Sequence, residues 1–341
     1  MRAAVFQDRS SPLQIADVAD PTPGPQDLIL KVGACGLCGS DLHLTEPGSM
    51  LPLASGAILG HEFAGEVVAI GTAVRSQVRI GDRVAGFPAL CCGDSTPCPN
   101  QTRRFSCRRG LLIGLGTAPG AYAEYVRISA GGAHRLPDNV SFREGALIEP
   151  LAVGLHAVDM ARLPRGATVL VLGAGPVGLA TALFARLLGA RHVLVSERAA
   201  SRRQLAAQLG ATAAVDPTQP LLPQVRALAG SEPDAIFECV GAPGMLDLAM
   251  AEAPHGGQII VAGVCQGRDS IRPILGIAKE LRIQFVLAYA PADFDYVIDL
   301  VAGGRIDPKP MITDIVDLDG LPAAFEALRT PTHQCKVLLE P

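Results

Sequence analysis

The sequence predicts a two-domain α/β protein: a β-rich, barrel-like part and a doubly wound parallel sheet covered by helices. Three observations carry that prediction. The chain has 341 residues, room for two domains of about 150 residues with sizeable cores. Its first 150 residues read as short apolar runs punctuated by turns, and from about residue 165 strand-like and helix-like segments alternate. In the first part LILKVGACG follows the breaker PTPGPQD, then come EFAGEVVAIG and, after Gly81-Asp82, RVAGF. In the second, ATVLVLG, RHVLVSE, DAIFECVG, QIIVAGV and RIQFVLA read as strands, with PVGLATALFARLLG and SRRQLAAQLG as helices between the first of them. Pro176 fits the first position of its helix, where a missing N–H is harmless, and Gly189 and Gly210 are the stops. After about residue 290 the pattern is mixed: helical FDYVIDLVAGG and LPAAFEALR, then a terminal strand CKVLLEP.

Composition narrows the function classes. Hydrophobic residues make up 49% and charged residues 18%, with 37 glycines, which excludes a disordered or polyelectrolyte chain. A net charge of −4 gives no global reason to bind nucleic acid or an anionic membrane, so a small neutral partner is expected. The stretch Gly166 to Ala185 carries no charge, yet Gly-Ala-Gly-Pro inside it breaks any membrane-spanning helix. Nine cysteines, an odd count, do not form a disulfide framework and point to a reducing compartment. MRAAVFQDRSSPLQ lacks the apolar stretch of a secretory signal, so the cytoplasm is the expected location.

Gly173-Ala-Gly175-Pro176-Val177-Gly178 follows a valine- and leucine-rich strand and opens a helix, the context that the GxGxxG dinucleotide turn requires. The glycines permit the tight turn and the approach of a pyrophosphate, whose charge the helix N-terminus attracts. A Rossmann unit of this type also needs a carboxylate about 20 residues on, at the end of the next strand, and Glu197 stands there. A carboxylate accepts hydrogen bonds from the adenosine ribose of NAD and repels the 2′-phosphate of NADP. Arg198, Arg202 and Arg203 beside it pull the other way.

Cys38-Gly-Ser-Asp-Leu-His43 and Gly60-His61-Glu62 supply thiolate, imidazole and carboxylate, all of them zinc ligands. Together with Gly60-His-Glu-Phe-Ala-Gly65 through Gly71-Thr-Ala-Val74, and Gly173 to Gly178 downstream, they resemble the zinc-containing medium-chain alcohol dehydrogenase family over essentially the whole chain. The resemblance implies a GroES-like catalytic domain of residues 1–150 and 290–341 and an NAD-binding Rossmann domain of residues 151–289. It implies Cys38 and His61 as catalytic zinc ligands, with Glu62 or, in Ile148-Glu149-Pro150-Leu151, Glu149 as the third. Cys35, three residues before Cys38, reads as core. Ser40 and His43 would form a proton path: Ser40 accepts the alcohol proton and passes it through the nicotinamide ribose to His43 and solvent. Lys336 occupies a position where the family often places a basic residue near the pyrophosphate.

The chain departs from the family in the lobe after residue 88, where a structural zinc would need four ligands at regular spacing. Cys91, Cys98 and Cys107 are candidates, with Asp94 or Cys92 to complete the set, but Cys98 is displaced by one position and Cys107 by one more. Arg103, Arg104, Arg108 and Arg109 in the lobe read as a solvated loop. The expected activity is NAD-dependent, zinc-dependent oxidation of a secondary alcohol or polyol, or reduction of the matching ketone, by a homodimer or homotetramer. An NADP-dependent carbonyl reductase and a non-catalytic dinucleotide-binding redox sensor are the other readings.

Overall fold

The computed structural model describes residues 1–49, 51–90 and 110–341. Cys91, Cys92, Cys98 and Cys107, with the arginines between and beside them, lie outside the described residues. The chain divides into two compact units, Met1–Glu149 with Ala290–Pro341, and Pro150–Tyr289.

The first unit is built on a seven-stranded sheet whose organising strand is Asp27–Gly36. Along one edge this strand pairs antiparallel with Glu62–Ile70, in a register that sets Gly36 opposite Glu62 and Cys35 opposite Phe63. It also pairs antiparallel with Tyr125–Ser129 through its first half, and with Lys336–Leu339 through its end, where Leu338 faces Gly36. Glu62 and Lys336 therefore arrive at the end of the same strand from its two sides. A Cβ at Gly36 would stand 2.0 Å from Glu62 Oε2, so only glycine leaves room for that carboxylate. A three-stranded antiparallel sheet, Gln14–Asp17, Arg2–Phe6 and Ala57–Ile58, adds to the core formed by Leu28, Leu30, Phe63, Val67, Tyr122 and Phe325, all buried. Cys35 is fully buried there, as read from the sequence.

The second unit is a six-stranded, all-parallel sheet in the order Ala213–Val215, His192–Ser196, Thr168–Leu172, Ala235–Glu238, Gln258–Val261 and Arg282–Phe285. Numbered from the first strand of the unit, this is 3-2-1-4-5-6, the order of a dinucleotide fold, whose binding crevice lies at the carboxyl ends where the order reverses. The central strand Thr168–Leu172 is buried along its whole length, as a sheet covered on both faces demands. Each of its leucine and valine side chains contributes about 1.5–3 kcal/mol relative to exposure. The strands and helices expected from the alternation are all present. Three helices, Leu221–Ala229, Met245–Glu252 and Pro273–Lys279, were not evident from periodicity alone. No helix among the described residues is long and apolar enough to cross a membrane; the uncharged stretch resolves into the strand Thr168–Leu172 and the helix Pro176–Leu187.

Candidate metal centre and dinucleotide turn

The end of strand Asp27–Gly36 runs through Leu37 into Cys38, which caps the short helix Gly39–Thr45 from an extended conformation. The following turn brings Asp41 back on Cys38: the Cys38 N–H donates to Asp41 Oδ2 at 3.2 Å. Asp41 is wholly buried and is the hub of the site. Its Oδ2 also accepts the Tyr122 hydroxyl at 2.6 Å, and its Oδ1 lies 3.1 Å from His61 Nδ1. A carboxylate can only accept, so Nδ1 carries a hydrogen, and it is the lone pair of Nε2 that a cation would take.

One donor atom each from Cys38, His61 and Glu62 falls within 4.8 Å of the others, with His61 and Glu62 buried and Cys38 half-buried. Glu149, buried at the start of helix Ile148–Ala161, lies outside this cluster. The electrostatics of the cluster call for a cation. Burial pushes the Cys38 thiol above its usual range and the Glu62 carboxylate adds to the shift. Burial alone would lower His61, but the Asp41 carboxylate and the Cys38 sulfur outweigh it and hold the imidazole well above its usual range. Both groups thus cling to protons that a divalent cation would replace. Thiolate, imidazole and carboxylate together are a zinc donor set, and a set of three leaves a position for substrate oxygen. The residues present fit the metal.

Lys336 is placed differently from its expected position at a pyrophosphate. Its side chain is 1% exposed, and Nζ donates to Glu62 Oε1 at 2.8 Å, Glu62 Oε2 at 2.5 Å and the Leu37 carbonyl at 2.9 Å. Three donors meet three acceptors, leaving none for a phosphate. Burial would lower this ammonium, but the Glu62 carboxylate holds it above the usual lysine range. The reason is topological: pairing with the end of Asp27–Gly36 carries Lys336 into the metal cluster. Sequence reasoning also missed Asp41 and Tyr122. Asp41 stands three residues after Cys38, the spacing of a capping box, and could have been noticed. Tyr122 gives no sequence signal.

Ser40 and His43 both lie on helix Gly39–Thr45, three residues apart and hence on one face. His43 Nδ1 sits 3.1 Å from Glu46 Oε1, and its side chain is 35% exposed.

In the second unit, Gly173 takes φ +95°, and its N–H donates to the Ser196 carbonyl at 2.8 Å. A Cβ on Gly178 would meet the Gly173 carbonyl at 2.0 Å, whereas one on Gly175 would meet nothing within 4 Å. The first closes the turn and the second leaves open space at the N-terminus of helix Pro176–Leu187, with Val177 in its first turn, as a pyrophosphate requires. Glu197 Oε2 accepts the Ala174 N–H and Oε1 the Ala199 N–H, both at 2.9 Å, so the carboxylate is pinned beside the turn. Arg203 is tied to the backbone here: its guanidinium donates to the Glu197 and Arg198 carbonyls at 2.7 and 2.6 Å.

Known proteins agree with this geometry. Residues 24–138 match the family model of the alcohol dehydrogenase GroES-like domain, and residues 176–303 that of the zinc-binding dehydrogenases. A sorbitol dehydrogenase of Gallus gallus is 31% identical over 340 residues, 96% of this chain and 93% of its own. A zinc-binding dehydrogenase of Sinorhizobium meliloti 1021, solved with NADP, superposes with a TM-score of 0.87 at 35% identity over 100% of this chain and 99% of its own. The 2R,3R-butanediol dehydrogenase of Bacillus subtilis does so with a TM-score of 0.88 at 28% identity, over 100% and 99%. The donor cluster in a GroES-like unit, the glycine turn in a Rossmann unit and relatives matched nearly end to end have one common explanation: this chain is an oxidoreductase that belongs to the zinc-containing medium-chain alcohol dehydrogenase family.

Proposed function

We propose that this enzyme transfers hydride between a secondary alcohol or polyol, or the matching ketone, and NAD(H), with zinc held by Cys38, His61 and Glu62. The carrying observation is the approach of those three donors to within 4.8 Å of one another, with His61 and Glu62 buried and Cys38 half-buried. The polyol class rests on the sorbitol and butanediol dehydrogenases among its relatives. Zinc in this site supplies Lewis acidity that lowers the pKa of a substrate hydroxyl. Asp41 fixes the His61 tautomer, and Lys336 keeps the Glu62 charge balanced when the carboxylate is not on the metal. Ser40 takes the substrate proton, and His43, partly exposed on the same helix face, delivers it to solvent.

NAD is favoured because Glu197, held beside the glycine turn, is a carboxylate that accepts from a ribose and would repel a 2′-phosphate, and Arg203 is committed to backbone carbonyls. The NADP-dependent carbonyl reductase is the second reading, favoured by Arg198 and Arg202 near Glu197 and by the relative solved with NADP. We further propose a homo-oligomer: the edge strand Arg282–Phe285 leaves Phe285 64% exposed, and Leu287, Ile274 and Ile277 nearby are exposed as well. The free thiols, Cys239 and Cys265 among them, suit a reducing compartment such as the cytoplasm.

The test is a panel of alcohols and polyols assayed with NAD and with NADP on metal-quantified protein. Cys38→Ser should abolish turnover and spare NAD binding, and Glu197→Ala should relax the preference for NAD. Full turnover in Cys38→Ser sinks the metal mechanism, and an NADP preference in the parent enzyme sinks the cofactor assignment.

A further inference from the structure

We propose that Glu46 is the positioning residue for proton exit, holding His43 as an Nδ1–H ring whose Nε2 acts as the base, and that the hollow beside the pair admits the base that carries the proton away. This rests on the proton path of the proposed function. Glu46 closes the helix Gly39–Thr45 and lies three residues after His43, so the two side chains share a face, with Nδ1 and Oε1 3.1 Å apart. The carboxylate accepts, so Nδ1 bears the hydrogen of the neutral ring and Nε2 keeps its lone pair. Free histidine has no such constraint. When His43 takes a proton on Nε2, the ring becomes an imidazolium, and Glu46 lies beside the new charge. The imidazolium then gives its Nε2 proton to a water or buffer base, which restores the Nδ1–H ring held by Glu46 and leaves the protonated base to diffuse off.

His43 and Glu46 border a hollow of about 600 Å³ lined also by Arg9, Leu42, Glu326 and Arg329. Arg329 is paired: its Nε donates to Glu326 Oε2 at 2.7 Å and its Nη2 to Thr45 Oγ1 at 2.8 Å, which anchors the helix end that carries the His43–Glu46 pair. Arg9 donates from Nη2 to the Leu51 carbonyl at 2.7 Å, while its buried Nε has no partner among the described residues. The charged groups facing His43 across the hollow are thus Arg9, Arg329, Glu326 and Glu46. In Glu46→Ala the two guanidiniums outnumber the one remaining carboxylate, Glu326, which favours entry of a small anion such as formate, whose carboxylate can replace that of Glu46.

The experiment uses the full-length, zinc-loaded enzyme oxidising its best alcohol. Glu46→Ala should lower kcat by about ten- to hundredfold with KM within about twofold, and raise the solvent deuterium isotope effect, because proton exit becomes limiting. Added formate should restore its kcat in a dose-dependent way and leave the parent enzyme unchanged. Glu46→Gln, which still accepts from Nδ1–H, should lie between. With 15N-histidine labelling, NMR of the unmutated protein should show His43 as the Nδ1–H tautomer, and Glu46→Ala should return it to the Nε2–H form. An unchanged kcat in Glu46→Ala, or a loss that formate does not restore with no change of tautomer, overturns the role of Glu46. His43→Ala separates the levels: if it turns over like the parent, the proton path itself is wrong, and if it is impaired while Glu46→Ala is not, only Glu46 is misassigned.

Discussion

Replacing Asp41 by asparagine removes one oxygen acceptor and one charge from the hub of the metal site and leaves its shape intact. Three donors converge on this carboxylate: His61 Nδ1 at 3.1 Å, Tyr122 Oη at 2.6 Å and the Cys38 N–H at 3.2 Å. An asparagine oxygen can keep His61 and the Tyr122 hydroxyl can rotate to accept from the new amide, but the Cys38 N–H then faces an NH2 group. One buried donor is left unsatisfied, at about 1–3 kcal/mol. Loss of the carboxylate behind a ligating histidine costs a further ten- to hundredfold in metal affinity or activity, to order of magnitude. Asp41→Asn should therefore unfold about 2–12 °C lower, taking about 2–4 °C per kcal/mol for a domain of this size. Its zinc should transfer to a chromogenic chelator about ten- to hundredfold more readily. The assay is chelator competition followed by absorbance, beside a thermal melt of the same preparation. A variant that melts lower but holds zinc as tightly as the parent would show that Asp41 braces the fold and does nothing for the ligand, which refutes the assignment.

Lys336→Met should cost about 3–5 kcal/mol in chelator-treated protein, because it strands the Glu62 carboxylate in a site 1% exposed. Zinc should recover much of that loss; equal losses with and without metal in denaturant titrations would place Glu62 off the metal. Gly175→Ala, which meets nothing in the fold, should melt like the parent yet raise the KM for the dinucleotide at least tenfold, to order of magnitude. Gly178→Ala should instead lose about 1–3 kcal/mol, since its methyl would stand 2.0 Å from the Gly173 carbonyl, and a calorimetric comparison of the two checks the division of labour. Phe285→Lys should shift the enzyme to a smaller species in light scattering, and an unchanged mass would move the interface away from this edge. Binding of zinc near pH 7 should release about two protons, counted by calorimetry in buffers of different ionisation enthalpy.

The parts legible in the sequence are those whose partners lie close along it or in consecutive units. The glycine turn and Glu197 belong to adjacent strands of one βαβ unit, so their spacing foretold that Glu197 stands at the end of the second strand, and there its carboxylate accepts the Ala174 N–H of the turn. The parallel sheet was legible for the same reason, since each strand alternates with a covering segment. Cys38, His61 and Glu62 lie on or next to two paired strands, and their residue types carry the chemistry. Lys336 was misplaced because its ammonium is positioned by a pairing between Leu338 and Gly36, some three hundred residues apart, which no local pattern encodes. Tyr122 and Glu62 show the same limit from the other side: their partners are selected by how the sheet closes around Gly36 and Asp41.

Charge explains why a lysine belongs in that place at all. In the ligating state the site holds three anionic groups, the Cys38 thiolate and the Glu62 and Asp41 carboxylates, against the single Lys336 ammonium, with His61 neutral. The deficit is two positive charges, in a pocket where an unbalanced charge costs several kcal/mol. A divalent cation fills that deficit completely, and a monovalent one does not. When no cation is bound, the same deficit is met by protons, and among the groups whose hold on protons is raised are Cys38 and His61, two of the metal ligands themselves. Without Lys336 the deficit would be three, and a divalent ion would leave a residual negative charge beside the substrate oxygen, opposing formation of an alkoxide there. The buried ammonium is thus what matches this donor set to a doubly charged metal while keeping the site neutral for an anionic reaction partner.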